Sequence, residues 1–491
     1  MNLERRILLA SLLSLGILML FSSLYKPPSS VSQPSHQKLV SKPSPSSVPT
    51  PPSLFLPPPE SCSKGTDVVL GNFTITVCTT GGYVKKIVSN RYHDVLLFHN
   101  LLYLPQFKDK VFKIVHSDHA ISLIYEENGA SLTKEISLES NFAINLKINN
   151  QLNKVINKVL ISSFAKDKGF YSRYEEFLFK NDTLVKRIPW SRVKSKHYSF
   201  LETAGFRSRY YAFILFNLRH IFLTREGNDV YFISEEPLKP QTIWAERGFL
   251  GPQSFSSLAF FNLKWIVNYG LFNPIAIMTL KALNFSHHFF KNWGLSIIVL
   301  SVLIYLALFP LSAAGFKSMS KMQALQPKIE ALKLKYKDAP QKLNRATLEL
   351  YKKEGVNPLG GCLPMLLQIP VFFAFYQALI RSVEIKGAHF LWIRDLSKPD
   401  YFIKLPYSLP LIGNGIHLLP IIMALIMFFQ QRLTARKGGT ISEQQKTMAM
   451  IIPLIFGFIF YNFPSGLVLY WLINNLLGFF YQYKITRQVT L

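Results

Sequence analysis

Long apolar runs without charged residues constrain this chain more than any other feature of its sequence. The cores of five such runs contain no Asp, Glu, Lys or Arg, and they lie near residues 294–313, 361–380, 409–429, 447–463 and 465–483. A sixth run, Ile7–Tyr25, follows Arg5 and Arg6. About 20 apolar helical residues cross a hydrocarbon layer of about 30 Å. The pattern predicts a polytopic α-helical membrane protein with six spans.

The first run allows two interpretations, an uncleaved transmembrane anchor over residues 1–26 or a cleaved signal peptide. We favour the anchor, because the run has 19 uncharged residues and no clear small-residue cleavage site follows it. Residues 27–60 come next, and Pro27–Pro59 contains 11 Pro and 9 Ser. This composition is typical of an extended, semi-rigid linker.

Residues 61–264 show the period-2 alternation of half-buried strands. Four segments carry the pattern or are rich in aromatic residues: Asn72–Cys78, Asn141–Ile148, Tyr210–Phe216 and Asp229–Ser234. Their short spacing predicts an antiparallel β-sandwich domain. Cys62 and Cys78 both lie in this region, and they could form a disulfide if the compartment is oxidising. The sequence leaves that pairing open.

An amphipathic, aromatic segment over residues 265–291 separates the β domain from the main group of apolar runs. Asn273-Pro274 interrupts it. We therefore expect a helix that lies in the membrane interface and does not cross the bilayer. Residues 292–487 then form the helical core.

The distribution of Lys and Arg orients the spans. The loop over 315–357 has ten Lys or Arg and four acids, and 432–446 has four against one. Residues 381–408, on the opposite side, have five against three. By the positive-inside rule both termini and the basic loops are cytoplasmic, and residues 27–264 are periplasmic. The net charge of +27 then suits contact with the lipid bilayer, and we predict no specific nucleic-acid site.

The basic loop over 315–357 carries helical periodicity. Phe316–Tyr336 has apolar residues at spacings of three and four, Asp338-Ala339-Pro340 breaks the pattern, and Gln341–Glu354 resumes it. This indicates an antiparallel helical hairpin with basic outer faces. Two interpretations stay open: a solvated loop that only sets orientation, or an arm that docks nascent chains, a ribosome or lipid headgroups.

Neutral polar residues lie inside the predicted spans, whereas His417 is the only ionisable candidate there. They are Ser296, Ser301, Tyr305, Gln368, Tyr376, Gln377, Asn474 and Asn475. Two interpretations are open: hydrogen bonds between helices, or a hydrated concavity within the bilayer. The lone His417 near the end of a span favours an interfacial position over a proton relay. The sequence has no phosphate-binding loop, zinc-protease motif or nucleophile elbow, so we predict no enzyme activity, catalytic residue, metal or cofactor.

Three long motifs occur in order in the helical core. They are NWGLSIIVLSVLIYLALFPLSAAGFKSMSKMQALQPKI, LYKKEGVNPLGGCLPMLLQIPVFFAFYQ and FPSGLVLYWLINNLLGFFYQY. Together they closely resemble the YidC/Oxa/Alb family of membrane protein insertases over about residues 292–487. The first span and the β domain resemble the Gram-negative branch. The resemblance implies five core spans around a hydrophilic groove that opens to the cytoplasm and to lipid.

The resemblance also implies which side chains contact a client protein in the groove. Tyr470 and Trp471 match aromatic client-contact positions of the family. Tyr305 stands where bacterial members usually have a groove arginine, and a tyrosine offers only hydrogen bonds there. The residues expected to line the groove or contact clients are Ser301, Tyr305, Gln368, Gln377, Tyr470, Trp471 and Asn474.

These observations predict a protein that inserts membrane proteins into the bacterial inner membrane and helps them fold. The expected partners are nascent membrane proteins, the Sec translocase with its accessory subunits, and a ribosome at the basic hairpin. A small-solute transporter is one alternative, although it would need intramembrane relay groups. An envelope scaffold whose periplasmic domain binds a ligand is the other.

Overall fold

A computed structural model gives the fold of this chain from residue 62 onward. It describes residue 62 and residues 65–92, 94–165, 175–182, 184–337, 339–356, 363–409, 413–436 and 443–488. The predicted anchor over 1–26 and the linker over 27–60 lie outside the described residues. The described part consists of a β domain followed by a helical region.

The β domain is built from strands that all pair antiparallel among the described residues. The strands are β1 (Gly65–Leu70), β2 (Phe73–Cys78), β3 (Tyr83–Ser89), β4 (Asp94–Val95), β5 (Phe98–His99), β6 (Lys113–His116), β7 (Ala120–Glu127), β8 (Ala130–Leu138), β9 (Ala143–Asn150), β10 (Val159–Ala165), β11 (Glu176–Asn181), β12 (Leu184–Pro189), β13 (Lys196–Arg207), β14 (Tyr211–Glu226), β15 (Asp229–Ser234) and β16 (Thr242–Pro252). Strands β1 to β4 form one sheet in sequence order, and the others form a twelve-stranded sheet.

The core of the β domain follows the alternation seen in the sequence. Phe73, Ile75 and Val77 of β2 are buried, and the threonines between them are partly exposed. Strand β9 begins only at Ala143, because Phe142 has a left-handed backbone with φ of 73°. The predicted strand over Asn141–Ile148 therefore starts two residues too early.

A lysine that the sequence did not mark as special lies fully buried in this domain. Lys134 of β8 is 0% exposed, and its Nζ donates to the carbonyl oxygens of Gly81, Gly82 and Leu102. The ammonium also lies 4.4 Å from the centre of the Phe112 ring. Burial lowers the pKa of Lys134 well below its ordinary value. This side chain ties the turn before β3 to the centre of the domain.

Cys62 and Cys78 form a disulfide in the structure, with the two Cα atoms 5.7 Å apart. This answers the question that the sequence left open. The bond joins the chain just before β1 to the end of β2, so the first described residue is covalently attached to the sheet.

The helical region contains nine α-helices from the end of the β domain onward and one β-hairpin among the described residues. The helices are α1 (Phe255–Phe260), α2 (Asn273–Phe290), α3 (Trp293–Ala324), α4 (Gln326–Lys335), α5 (Pro340–Lys353), α6 (Leu363–Arg381), α7 (Leu418–Arg436), α8 (Glu443–Phe460) and α9 (Ser465–Gln488). The hairpin consists of β17 (Tyr401–Leu409) and β18 (Gly413–His417). The buried apolar residues of α3, α6, α7 and α9 form one common core.

The predicted span over 409–429 was wrong in its first part, since Gly413–His417 is a strand and α7 begins at Leu418. Two glycines in this strand disfavour a helix. The start of α7 is fixed from a distance, because the Asp400 carboxylate accepts hydrogen bonds from the amides of Leu418 (2.9 Å) and Leu419 (2.8 Å). A carboxylate at this position also interacts favourably with the positive N-terminal end of the helix dipole.

The first helix expected in the basic hairpin, Phe316–Tyr336, is divided between two helices. Helix α3 continues to Ala324, and α4 starts again at Gln326 with Pro327 in its first turn. Proline lacks an amide donor and suits the first turn of a helix. Helix α5 packs against α4 through a small apolar cluster that includes Leu325, Ile329 and Val356. The Lys328 ammonium pairs with the Glu354 carboxylate at 2.5 Å.

Several helices of this region expose large apolar side chains. Examples are Leu303 and Leu306 of α3, Leu425 and Phe429 of α7, Leu454 and Phe458 of α8, and Phe285 and Phe289 of α2. Within the described residues, one stretch, Trp293–Met322, is long and apolar enough to cross a membrane. The apolar stretches Leu418–Arg432 and Met450–Phe460 are shorter.

Candidate functional site

Three helices, α3, α6 and α9, carry all seven residues expected to line a groove. Helix α9 packs against both α3 and α6. Ser301 and Tyr305 lie on α3, and Gln368 and Gln377 lie on α6. The remaining three, Tyr470, Trp471 and Asn474, lie on α9. The candidate site is therefore centred on α9.

The contact between α6 and α9 contains a direct polar pair. The Gln368 side-chain amide donates to the Tyr470 hydroxyl at 3.0 Å. The Tyr470 ring is fully buried and stacks on Phe375, with ring centres 4.4 Å apart. This part of the set fits the interpretation that neutral polar groups join the helices by hydrogen bonds.

Ser301 of α3 is also satisfied within the protein. Its side chain is buried, and its hydroxyl donates to the Ile297 carbonyl oxygen of the same helix at 2.6 Å. A serine in a membrane helix commonly bonds to its own backbone one turn earlier. The hydroxyl of Ser301 is thus used inside α3 in this structure.

Four other members of the set keep a buried polar atom that has no hydrogen-bond partner among the described residues. The atoms are the Tyr305 hydroxyl, Gln377 Oε1, Trp471 Nε1 and Asn474 Oδ1. An unpaired buried polar group costs about 1–3 kcal/mol. These atoms include two acceptors, one donor and one hydroxyl that can act as either. Their combined capacity suits water or the polar groups of another chain.

Asn474 shows how such an atom is left over. Its Nδ2 donates to the Tyr470 carbonyl oxygen at 2.8 Å, so the amide is held against its own helix. The neighbouring Asn475 makes the same bond to the Trp471 carbonyl oxygen at 2.8 Å. The Oδ1 atom of Asn474 then has a fixed direction but no partner.

Trp471 belongs to an aromatic cluster between α6, α8 and α9. Its ring centre lies 5.2 Å from that of Phe372, 5.4 Å from that of Phe460 and 6.0 Å from that of Phe456. The indole is only partly buried. The cluster provides an apolar contact surface directly beside the unpaired indole nitrogen.

Tyr305 lies near a second aromatic contact, between α3 and α9. Its ring centre is 6.1 Å from that of Phe309, and the Phe309 ring packs edge-on against Tyr481 of α9 at 4.8 Å. The five apolar runs have no Lys or Arg in their cores. The polar character of this side of the site therefore comes from a neutral hydroxyl.

His417 lies elsewhere, in a buried network that sequence reasoning missed. It is 1% exposed, and its Nδ1 lies 2.5 Å from the Tyr461 carbonyl oxygen. Its position at the membrane interface stays a prediction. The Tyr461 hydroxyl donates to the Gly415 carbonyl oxygen at 3.0 Å. Asp400, also buried, accepts from Trp392 Nε1 at 3.3 Å besides capping α7. The network fixes the hairpin and the start of α7, and residues so far apart in sequence give no local signal.

A set of arginines joins the β domain to the helical region, and no sequence pattern indicates it. Arg187 and Arg207 both donate to the Ile266 carbonyl oxygen, and Arg207 pairs with Glu176 at 3.0 Å. Arg209 donates to the Ile380 carbonyl oxygen near the end of α6. Arg381 of α6 donates in turn to the Asn268 carbonyl oxygen. These bonds hold the two regions together at one end of α6.

The comparisons with known proteins identify the helical part of the chain. Residues 285–490 match the family described as the 60Kd inner membrane protein. The resemblance to the insertase family is thereby confirmed for this region.

Two curated relatives agree with this match. A membrane protein insertase YidC of Polynucleobacter asymbioticus is 45% identical over 242 residues, which are 49% of this chain and 40% of the relative. A membrane protein insertase YidC of Geobacter sulfurreducens is 43% identical over 247 residues, which are 50% of this chain and 43% of the relative. The matched segments thus cover less than half of each relative.

One solved structure resembles the chain over more of its length. An active YidC insertase with its first transmembrane domain resolved covers 86% of this chain, and 92% of that chain is covered in return. The identity is 18% and the TM-score is 0.45.

Proposed function

We propose that this chain inserts membrane proteins into the bacterial inner membrane and helps them fold. The observation that carries the proposal is the arrangement of the helical region. Its helices expose large apolar side chains, whereas α3, α6 and α9 each carry buried polar atoms that have no partner among the described residues. This arrangement suits a bundle that is surrounded by lipid and solvates a passing polar segment. The family match over 285–490 supports it.

The proposed topology has six spans, with both termini in the cytoplasm and the β-sandwich domain over 61–264 in the periplasm. The counts of Lys and Arg in the loops support this orientation. The disulfide between Cys62 and Cys78 also supports it, because disulfides persist in oxidising compartments such as the periplasm.

The proposed mechanism divides the free-energy barrier to moving a client's polar segment across the bilayer into smaller steps. A charged group at the centre of a membrane helix costs about 2.5–3.5 kcal/mol on insertion scales. The unpaired atoms of Tyr305, Gln377 and Asn474 offer hydrogen bonds partway across the membrane. The client's apolar segment meanwhile leaves along the aromatic cluster at Trp471 and enters lipid. Burial of that segment supplies the driving force, so the step requires no nucleotide.

The basic pair α4 and α5 is the proposed receiving arm for clients. Their basic residues include Lys333 and Lys335 in the last turn of α4 and Lys352 and Lys353 in the last turn of α5. Such a surface attracts anionic partners, including ribosomal RNA, acidic client tails and lipid headgroups. We propose nascent membrane proteins as the clients and the Sec translocase with its accessory subunits as a partner.

Site-specific photocrosslinking tests the proposal. A photoreactive residue replaces Tyr305 in one variant and Leu306 in the other, because these neighbours differ in direction: Tyr305 has a buried hydroxyl, and Leu306 is exposed. A stalled single-span client should crosslink from position 305 through its polar tail. Position 306 should instead crosslink to lipid. Equal client crosslinking at both positions would contradict a client path between the helices, and normal client insertion after full depletion of the protein would contradict the function itself.

A further inference from the structure

A cavity of about 460 Å³ lies between the β domain and the loop that follows α6. Its volume is in the range of small-molecule sites. The residues that matter for its chemistry are Arg91 and Tyr92 of the β domain, Trp293 at the start of α3, and Lys386, Arg394 and Lys398 of the loop. Nothing in the proposed insertion step uses this cavity.

The acidic groups that line the cavity are already engaged. The Asp395 carboxylate accepts from the Gly387 amide at 3.0 Å and pairs with Lys398 at 3.2 Å. The Glu384 carboxylate accepts from the Ser382 hydroxyl at 2.7 Å. Asp94, beside the cavity, pairs with Lys386.

Two arginines, one from each side of the cavity, keep their full charge available. Arg91 and Arg394 are exposed, and no carboxylate oxygen of the described residues lies within 4.0 Å of either guanidinium. Arg91 rests on the Tyr92 ring at 5.3 Å, which directs its side chain. A guanidinium presents paired N–H donors that match the oxygens of a phosphate group. The cavity is therefore suited to an anion held between these two guanidinium groups.

The position of Trp293 indicates the source of that anion. This residue begins the stretch long enough to cross a membrane, and its ring stacks on His287 of α2 at 3.9 Å. Helix α2 exposes Phe285 and Phe289. Tryptophan at the end of a span lies at the level of the lipid headgroups. The cavity therefore opens at the membrane surface.

We propose that this cavity binds the phosphate headgroup of an anionic phospholipid in the outer leaflet. Arg91 and Arg394 hold the phosphate oxygens, and the acyl chains run past Trp293 into the bilayer. The bound lipid joins the β domain to the loop after α6. The inference rests on the membrane topology proposed above.

Lipid titration of the full-length protein in detergent tests the site. Phosphatidylglycerol, phosphatidylcholine and inorganic phosphate are added separately, and the thermal unfolding temperature is measured at each concentration. The site variant is Arg91→Gln with Arg394→Gln. The matched control is Arg192→Gln with Arg219→Gln, which removes two exposed arginines of the β domain that do not line the cavity.

Phosphatidylglycerol alone should raise the unfolding temperature of the parent and the control. In the site variant the concentration for half of this shift should rise about fivefold for each arginine removed. Native mass spectrometry of the same samples should show fewer retained phosphatidylglycerol molecules, which keeps the test valid if the variant melts earlier by itself. Equal lipid shifts in the site variant and the control would overturn the site, and an equal shift with inorganic phosphate would overturn the lipid as its ligand. Neither measurement uses client insertion, so a failed lipid site and a failed insertase function can be told apart.

Discussion

Lys134 of the β domain and two site residues of the helical region illustrate two different outcomes for a buried polar group. In the β domain the most deeply buried cation, Lys134, donates to three carbonyl oxygens. In the helical region Gln377 and Asn474 each keep a buried oxygen with no partner among the described residues. Unpaired buried atoms occur in both regions, because Thr203 Oγ1 and Trp244 Nε1 of the β domain also have no partner among the described residues. Those of the helical region bear on the proposed function because they belong to residues that are expected to contact clients.

The largest expected effect concerns Lys134, whose buried Nζ donates three hydrogen bonds. Replacing Lys134 by Ala should destabilise the β domain by about 4 kcal/mol, because three buried carbonyl oxygens lose their donor and a cavity remains. Amide hydrogen exchange of β2 and β8 in the full-length protein measures the loss. Lys147→Ala, at an exposed position of β9, is the control and should change stability by less than about 0.5 kcal/mol. A small effect at Lys134 would mean that these hydrogen bonds contribute little.

A second prediction compares exposed apolar residues in the two regions. Leu454 of α8 is 70% exposed and Val69 of β1 is 63% exposed. Leu454→Lys should cost about 2.5–3.5 kcal/mol if the side chain faces lipid, whereas Val69→Lys faces water and should be nearly neutral. Unfolding in lipid bicelles measures both. Similar small costs at both positions would show that α8 does not contact lipid.

A third prediction separates helix packing from client contact. Tyr470→Phe removes the hydrogen bond from Gln368 but keeps the stacking on Phe375, so the bundle should lose about 0.6–2 kcal/mol. Client insertion should change little, because this pair is already satisfied inside the protein. Thermal unfolding and an insertion assay give the two values. A severe insertion defect with unchanged stability would instead assign Tyr470 to client binding.

The smallest effect concerns charge at the site. Tyr305→Arg places a cation where the structure has a neutral hydroxyl, and it should favour clients with acidic tails by about 0.2–1 kcal/mol, or up to about fivefold in insertion rate. Clients with neutral tails should be unaffected. Tyr305→Gln is the control, since it keeps a neutral hydrogen-bonding group at the same position. Equal effects on acidic and neutral tails would rule out an electrostatic contact at position 305.

Local patterns predicted the parts of this fold that depend on neighbouring residues. The period-2 alternation located β2, because burial on one face of a strand repeats every second residue, and the aromatic-rich run Asp229–Ser234 located β15. The apolar runs near 361–380 and 465–483 fall on α6 and α9 for the same kind of reason. Helices α6 and α9, which carry five of the seven expected site residues, could thus be found from sequence.

Contacts between distant residues could not be predicted in this way. Asp400 caps the start of α7 from the far end of the hairpin. The apolar run near 409–429 contains no local sign of this cap, so the sequence did not show that its first part is a strand. Lys134 looked like an ordinary strand residue, since its three partners lie 32 to 53 residues away in sequence. The polar residues of the site were predicted from sequence. The sequence did not show which of their atoms form hydrogen bonds within the protein. Ser301 and Gln368 use their hydrogen bonds inside the protein, a choice that depends on side-chain directions in three dimensions.

The disulfide at the start of the β domain determines how a pull on the preceding chain would reach the sheet. Among the described strands, β1 pairs only with β2, and an edge strand held on one side is the easiest to separate from a sheet. The bond from Cys62 ends at Cys78, the residue that pairs with the first position of β1. Tension arriving from the proline-rich side therefore passes through a covalent link into β2, which has neighbours on both sides. A pull on the chain before Cys62 would therefore not unfold the β domain from that end.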